Sequence, residues 1–286
     1  MAMGGEGIKV AVLGGKGGAG KTLVAVNLAA AAPKAAYFDC DVEEPNGHLF
    51  FKPQEVTARE IAVKIPVFDG ALCAGCRKCV DFCKFGALAF VKGRPYLFEE
   101  VCHSCGGCSL LCPVGAITER EKPVGVLQKG TAGGVTVTTG FMNPGEASGI
   151  PLIKALLGDA KDSELPVIID CPPGSACIVM ESIKDADFCL LVAEPTIFGA
   201  HNLAMVHELA VLFGKPCGAV LNKCMDGENP AQVYCLEKGI PVLAKIPFDM
   251  ELGRLSSRGH IAVRESEEYR KLFSRLLETL QKEVAP

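Results

Sequence analysis

Gly14-Gly15-Lys16-Gly17-Gly18-Ala19-Gly20-Lys21-Thr22 constrains this chain more than any other stretch. The apolar run Ile8–Leu13 before it has strand character and Leu23–Ala30 after it has helix character, so the glycines join the end of a strand to the start of a helix. Gly15 to Thr22 has the spacing G-x-x-x-x-G-K-[ST], in which glycines let backbone N–H groups converge on phosphate oxygens, the lysine reaches the β- and γ-phosphates and the hydroxyl binds Mg²⁺. The helix N-terminus adds its own partial positive charge. The same letters also hold Gly15-x-Gly17-x-x-Gly20 with Asp39 downstream, a dinucleotide fingerprint. Lys21 and Thr22 decide for a nucleoside triphosphate with magnesium, because a dinucleotide site has no use for either.

Two further segments end in carboxylates where such a loop needs them. Lys34–Phe38 reads as a second strand and runs into Asp39-Cys40-Asp41-Val42-Glu43-Glu44-Pro45-Asn46. Pro166–Ile169 is an apolar strand ending in Asp170-Cys171-Pro172-Pro173-Gly174. In an open α/β sheet the C-terminal ends of the strands face the ligand crevice, and a carboxylate delivered there orients magnesium and its waters.

Lys16–Thr22 resembles the deviant Walker A loop, Lys-Gly-Gly-x-Gly-Lys-[Thr/Ser], of the P-loop ATPase group that includes MinD, ParA, Mrp-type carriers and the nitrogenase iron protein. The resemblance implies an ATP-dependent homodimer in which Lys16 crosses to the neighbouring subunit's nucleotide. It implies that Asp39, Asp41 and Asn46 form the first switch segment, with Asp41 holding the attacking water and Asp39 near the magnesium. Asp170 to Gly174 match the second switch, Asp-x-Pro-[Pro/Ala]-Gly. Asn222 is implied to read the adenine edge of ATP or ADP, the alternative being a cap on the following turn. Pro247-Phe248-Asp249 matches the segment that flanks the base.

The fifteen cysteines need a different explanation. Cys73-x-x-Cys76-x-x-Cys79-x-x-x-Cys83 is followed by Cys102-x-x-Cys105-x-x-Cys108-x-x-x-Cys112-Pro113, the bacterial ferredoxin spacing, in which the fourth cysteine of each run ligates the other cluster. Cys73, Cys76, Cys79 and Cys112 are then expected to hold one [4Fe–4S] cluster, and Cys102, Cys105, Cys108 and Cys83 the second. Zinc sites use paired C-x-x-C units across a spacer instead. Phe85-Gly86-Ala87-Leu88 and Val114-Gly115-Ala116-Ile117 follow the two runs at matching offsets, as an internal duplication does. His103 is expected at the surface or behind the ligands. A piece this small needs staples to fold, and two clusters supply them. Cys40, Cys189, Cys217, Cys224 and Cys235 are expected to be buried apolar residues. So are Cys171 and Cys177, unless they serve a dimer interface as cysteines near the second switch do in the nitrogenase iron protein. Mrp-type carriers hold a labile cluster with Cys-x-x-Cys towards the C-terminus, and no such pair occurs here outside the two runs.

The expected fold class is α/β: a P-loop NTPase with a mostly parallel sheet flanked by helices, carrying an inserted small α+β ferredoxin-like domain. The expected boundaries are 1–65 and 123–286 for the ATPase and 66–122 for the insert. A net charge of −4 with no basic run gives no case for nucleic acid. Met1–Gly7 lacks the features of a signal peptide and no apolar run is long enough for a membrane span, so a cytoplasmic location is expected. Tyr269, Leu272, Phe273, Leu276, Leu280 and Val284 share one helical face opposite mixed charges, which fits packing on the sheet better than lying on a membrane. The expected function is a dimeric Mg-ATP switch that gates electron transfer from two clusters to a redox partner protein. The alternatives are a factor that assembles or inserts a metal cofactor and a positioning scaffold with structural clusters.

Overall fold

The computed structural model describes residues 7–161 and 163–284; Met1–Glu6, read above for a targeting signal, lie outside them. The chain starts with β1 (Lys9–Leu13), α1 (Lys21–Ala31), β2 (Ala35–Asp39) and the short α2 (Gly47–Phe51). A long strand β3 (Gln54–Phe68) leads out to α3 (Lys78–Phe82), β4 (Leu88–Val91), β5 (Arg94–Leu97) and α4 (Gly107–Leu110), and β6 (Ile117–Ala132) leads back. The remainder is β7 (Val135–Met142), α5 (Ile150–Gly158), β8 (Val167–Asp170), α6 (Cys177–Ile183), β9 (Phe188–Ala193), α7 (Ile197–Leu212), β10 (Cys217–Cys224), α8 (Pro230–Lys238), β11 (Val242–Pro247), α9 (Met250–Ser257), α10 (Ala262–Glu265) and α11 (Glu267–Val284).

Nine strands form one sheet in the order β11-β10-β9-β1-β8-β2-β7-β6-β3. From β11 to β7 all pairs are parallel, while β7 with β6 and β6 with β3 are antiparallel. The central strands read as unbroken apolar runs because helices cover both faces. Strand alternation sorts the core: Ala11, Leu13, Ile169 and Leu191 pack on the α5–α8 face, and Val10, Val12, Ile168 and Leu190 on the face of α1 and α11. Local signals set the helix ends. Asn229 caps α8 by accepting the Gln232 N–H, Pro230 opens it, and Gly239 at φ 67° closes it.

β3 and β6 pair from Gln54↔Thr131 to Phe68↔Ile117, an arm about 50 Å long at the usual strand rise. The sequence boundaries at 65/66 and 122/123 therefore fall inside continuous strands. Local patterning missed the arm because β3 is an edge strand whose Glu55, Arg59, Glu60 and Lys64 are exposed, so it lacks an apolar face along most of its length.

Phe273, Leu276 and Leu280 of α11 are buried in the core with α1, so this helix packs on the sheet. Among the described residues no helix is long and apolar enough to cross a membrane. Truncation of Phe273, which is wholly buried, to alanine is expected to lower stability by about 3–5 kcal/mol in urea denaturation.

Candidate functional site

β1 lies between β8 and β9, so the loop after Leu13 opens at the centre of the sheet's C-terminal edge. Gly18 and Gly20 hold φ of 92° and 94°, which side chains disfavour. Gly20 is also fixed by space: a Cβ there would sit 2.2 Å from Asn222 Nδ2. α1 starts from Gly20 with no side-chain cap and no acidic residue in its first turn, leaving its first N–H groups for an anion. Lys21 is buried and its Nζ folds back towards the Lys16 carbonyl at 3.4 Å, while the Lys16 side chain points into solvent.

Asp39 and Asp170 are direct neighbours on β2 and β8, and both are buried. They differ in their partners. Asp39 accepts backbone N–H groups from Asp41 (3.3 Å), Asn46 (3.1 Å) and Gly47 (2.8 Å), so it organises the loop after β2. Three of the acceptor positions of Asp39 are thus taken by backbone. Asp170 accepts the Tyr37 hydroxyl on Oδ2 at 2.9 Å, and among the described residues its Oδ1 is sealed from solvent with no hydrogen-bond partner. Burial pushes the Asp170 carboxyl up to about 6, against the opposing pull of the Thr22 and Tyr37 hydroxyls and of Lys21. A buried, unpartnered carboxylate oxygen beside a threonine hydroxyl is a donor set that fits a hard divalent cation. Asp41 is half-buried; burial raises its carboxyl and Lys21 opposes the rise.

Tyr37 was not singled out from the sequence, where it reads as a strand aromatic. Only the register of β2 against β8 brings its hydroxyl to Asp170. Lys223 was missed for a similar reason. It sits at φ 57° near the end of β10, donates to the Gly18 carbonyl at 2.8 Å and pairs with Glu194, clamping the loop from outside. Asn222 is buried, donates to the Ala19 carbonyl at 2.9 Å and accepts the Lys223 N–H at 3.0 Å. It supports the phosphate loop and caps its own turn. In the Pro247–Asp249 segment Phe248 is exposed, and Asp249 caps α9 while accepting the Tyr269 hydroxyl. On the second switch the Gly174 N–H donates to the Gly14 carbonyl at 3.2 Å, tying it to the phosphate loop. Cys171 is buried below, whereas Cys177 at the start of α6 is exposed. Asn46 starts α2, with its backbone N–H on Asp39 and its amide on the Glu44 carbonyl.

At the end of the arm the backbone repeats itself. Gly75, Arg77 and Gly86 have positive φ, and so do Ser104, Gly106 and Gly115, each shifted by the interval that separates Cys73 from Cys102. The repeats clasp each other reciprocally: Asp69 N–H donates to Ala116 O at 2.8 Å and Phe98 N–H to Ala87 O at 2.9 Å. This swap gathers Cys73, Cys76, Cys79 and Cys112 around one cavity and Cys83, Cys102, Cys105 and Cys108 around another. Among the described residues no group of three or more His, Cys, Asp or Glu side chains is drawn together as if around a single metal ion. The first cradle also has the Ala116 N–H pointing at the Cys112 sulfur at 3.2 Å. Burial and the neighbouring thiols raise Cys79 in one cradle and Cys108 in the other. His103 lies flat against Phe85, ring centroids 3.9 Å apart, at the wall of the second cradle.

A strand, a glycine loop carrying Lys21, a capless helix and a carboxylate on the next strand define a P-loop nucleotide-binding protein. Residues 10–263 match the model of the CobQ/CobB/MinD/ParA nucleotide-binding domain, and the chain belongs to that family. It is 28% identical over 298 residues to an iron-sulfur cluster carrier protein of Pyrococcus horikoshii, covering 95% of this chain and 85% of that protein. It is 39% identical over 61 residues to an uncharacterized ferredoxin of Methanocaldococcus jannaschii, 20% of this chain and 78% of that one. The fold matches the septum site-determining protein MinD from Pyrococcus horikoshii, complexed with Mg-ADP, with a TM-score of 0.62 at 18% identity over 96% of both chains.

The raised Asp170 carboxyl has a definite sign. It binds its proton more tightly in the folded protein, so its contribution to stability is full below its ordinary value of 3.8 and is lost as pH rises through about 6. Asp170→Asn is therefore expected to leave the unliganded protein at pH 7 as stable as the parent or more so, and to abolish the extra thermal stabilisation that Mg²⁺ adds to ADP. In the parent that Mg²⁺ increment shrinks between pH 7.5 and 5.5; thermal melts with ADP, with and without Mg²⁺, measure both effects.

Proposed function

We propose that this protein is an ATP-dependent dimeric switch that carries two [4Fe–4S] clusters and gates their electron transfer to a partner protein. The observation that supports it most is that eight cysteines divide into two four-cysteine cradles on the chain that also carries the phosphate loop. In this reading Lys21 and the N–H groups of Gly15, Lys16, Gly17, Gly18, Ala19, Gly20, Lys21 and Thr22 hold the phosphates, and Thr22 and Asp170 hold magnesium. Asp41 orients the attacking water, held in place by the loop that Asp39 organises. Lys16, whose side chain is exposed, reaches the nucleotide of a second copy. The clusters, when bound, supply single-electron carriers. The 66–122 segment is then the electron-transfer unit and the rest of the chain the switch that moves it.

A second reading, a factor that delivers a cluster or metal cofactor, is favoured by the likeness to proteins named iron-sulfur cluster carriers. Transfer of labelled iron from the protein to an apo-acceptor in the presence of ATP separates the two.

Anaerobic purification of the full chain is expected to yield about eight iron and eight sulfide per chain. The reduced protein is expected to show EPR signals that change when Mg-ATP is added. Cys112→Ser is expected to disturb the cluster of the first repeat and Cys83→Ser that of the second, each variant losing about half the iron. Lys16→Ala is expected to retain nucleotide binding and lose hydrolysis. Stoichiometric zinc in place of iron, or EPR signals indifferent to Mg-ATP, overturns the proposal.

A further inference from the structure

The segment between β7 and α5 touches both sites. Val42 directly follows Asp41, and its carbonyl accepts the Met142 N–H at 2.9 Å. Its side chain packs against Gly140 and Gly149 so closely that a Cβ at either would stand 2.6 Å and 2.5 Å from it. Ile178 of α6, just beyond the second switch, closes on Gly149 from another side, 2.9 Å from such a Cβ. Both nucleotide-facing segments therefore meet at Gly149, and a shift of either is passed to residues 142–149 because close-packed groups cannot give way independently.

The far end of that segment grips the arm and the cysteine repeats. Asn143 donates its N–H to Val124 O at 2.9 Å and its side-chain amide to Pro123 O at 3.2 Å. Glu146 forms an ion pair with Lys122 of β6 at 2.8 Å. These side chains are only 12% and 16% exposed, whereas every other ion pair among the described residues leaves both partners at least 30% exposed. Lys122 Nζ also donates to Glu99 O at 3.1 Å, and that same carbonyl accepts the Cys102 N–H at 3.3 Å. The carboxylate of Glu146 thus lies one ammonium and one carbonyl away from the first cysteine of the second run. A cavity of about 470 Å³ lined by Cys102, Ser104, Lys122, Glu146 and Ser148 leaves this seam room to rearrange.

We propose that the Lys122–Glu146 pair is a latch that passes the nucleotide state of the loop after β2 to the Cys83, Cys102, Cys105 and Cys108 cradle. The inference rests on the proposed function in one respect: the nucleotide must move the switch segments. The latch acts by position. When the 142–149 segment shifts, Glu146 pulls Lys122, and the turn at Glu99 that sets the Cys102 backbone follows. Among the described residues, none of those lining the other cradle lines the seam cavity. The response of that other cradle to nucleotide should be the smaller of the two.

The test compares hydrogen exchange of the anaerobically prepared full chain with Mg-ADP and with Mg²⁺ and a non-hydrolysable ATP analogue, together with redox titration of the clusters in both states. Exchange at residues 99–104 is expected to differ severalfold between the states. That difference and the nucleotide-dependent change in potential should fall to less than half in Glu146→Gln and be retained in Lys122→Arg, with nucleotide affinity within twofold of the parent in both. If Glu146→Gln responds as fully as the parent, the latch is wrong while coupling between ATP and clusters stands. If the parent shows no exchange difference at 99–104 but its potentials still respond to nucleotide, the latch is again wrong and the coupling survives. If neither responds, both fall. Should Glu146→Gln fail to fold, the comparison of the two nucleotide states in the parent decides.

Discussion

Two buried aspartates stand side by side at the ends of adjacent parallel strands, and most of the site follows from how differently the protein treats them. Placing two carboxylates in the interior is costly unless each finds partners. Asp39 finds three backbone N–H groups, and in satisfying it the chain after β2 wraps into the loop that presents Asp41. Asp170 is left with the Tyr37 hydroxyl and, among the described residues, one sealed oxygen without a hydrogen-bond partner, and burial raises its carboxyl to about 6.

Because both aspartates are anchored in the same sheet, their surroundings are linked to whatever that sheet carries. The sheet continues through β7 into β6 and β3, and the paired strands carry the cysteine repeats at their far end. A rigid ladder of this kind fixes direction and distance, which a flexible linker does not. The antiparallel arm thus turns a neighbouring domain into an extension of the nucleotide-binding core. The arm also meets that core where the loop before α5 reaches Lys122.

Legibility in the sequence followed the range of the interactions. The phosphate loop, the strand ends at Asp39 and Asp170, and the apolar face of α11 are local patterns, visible within a few residues of chain. The fourfold cysteine grouping was also readable, because the spacing encodes a swap between repeats that the reciprocal bonds of Asp69 and Phe98 now explain. The roles expected of Asn222 and Asp39 came from resemblance, and their hydrogen-bond partners, the Ala19 carbonyl and Lys223 N–H for the one and three backbone N–H groups for the other, were not legible in it.

By itself the sequence determined the chemistry on offer: a lysine and a threonine behind glycines, carboxylates at strand ends, and thiols in two matched runs. Those choices are set by residue type and short spacing, which need no tertiary context to be recognised. Only the tertiary structure decided which groups meet. Tyr37 reaches Asp170, Lys223 clamps Gly18, and Glu146 pairs with Lys122 because strand register and the return of a long arm bring together residues that share no local pattern. Cross-strand and cross-loop contacts of this kind depend on the packed whole, so spacing along the chain carries no trace of them.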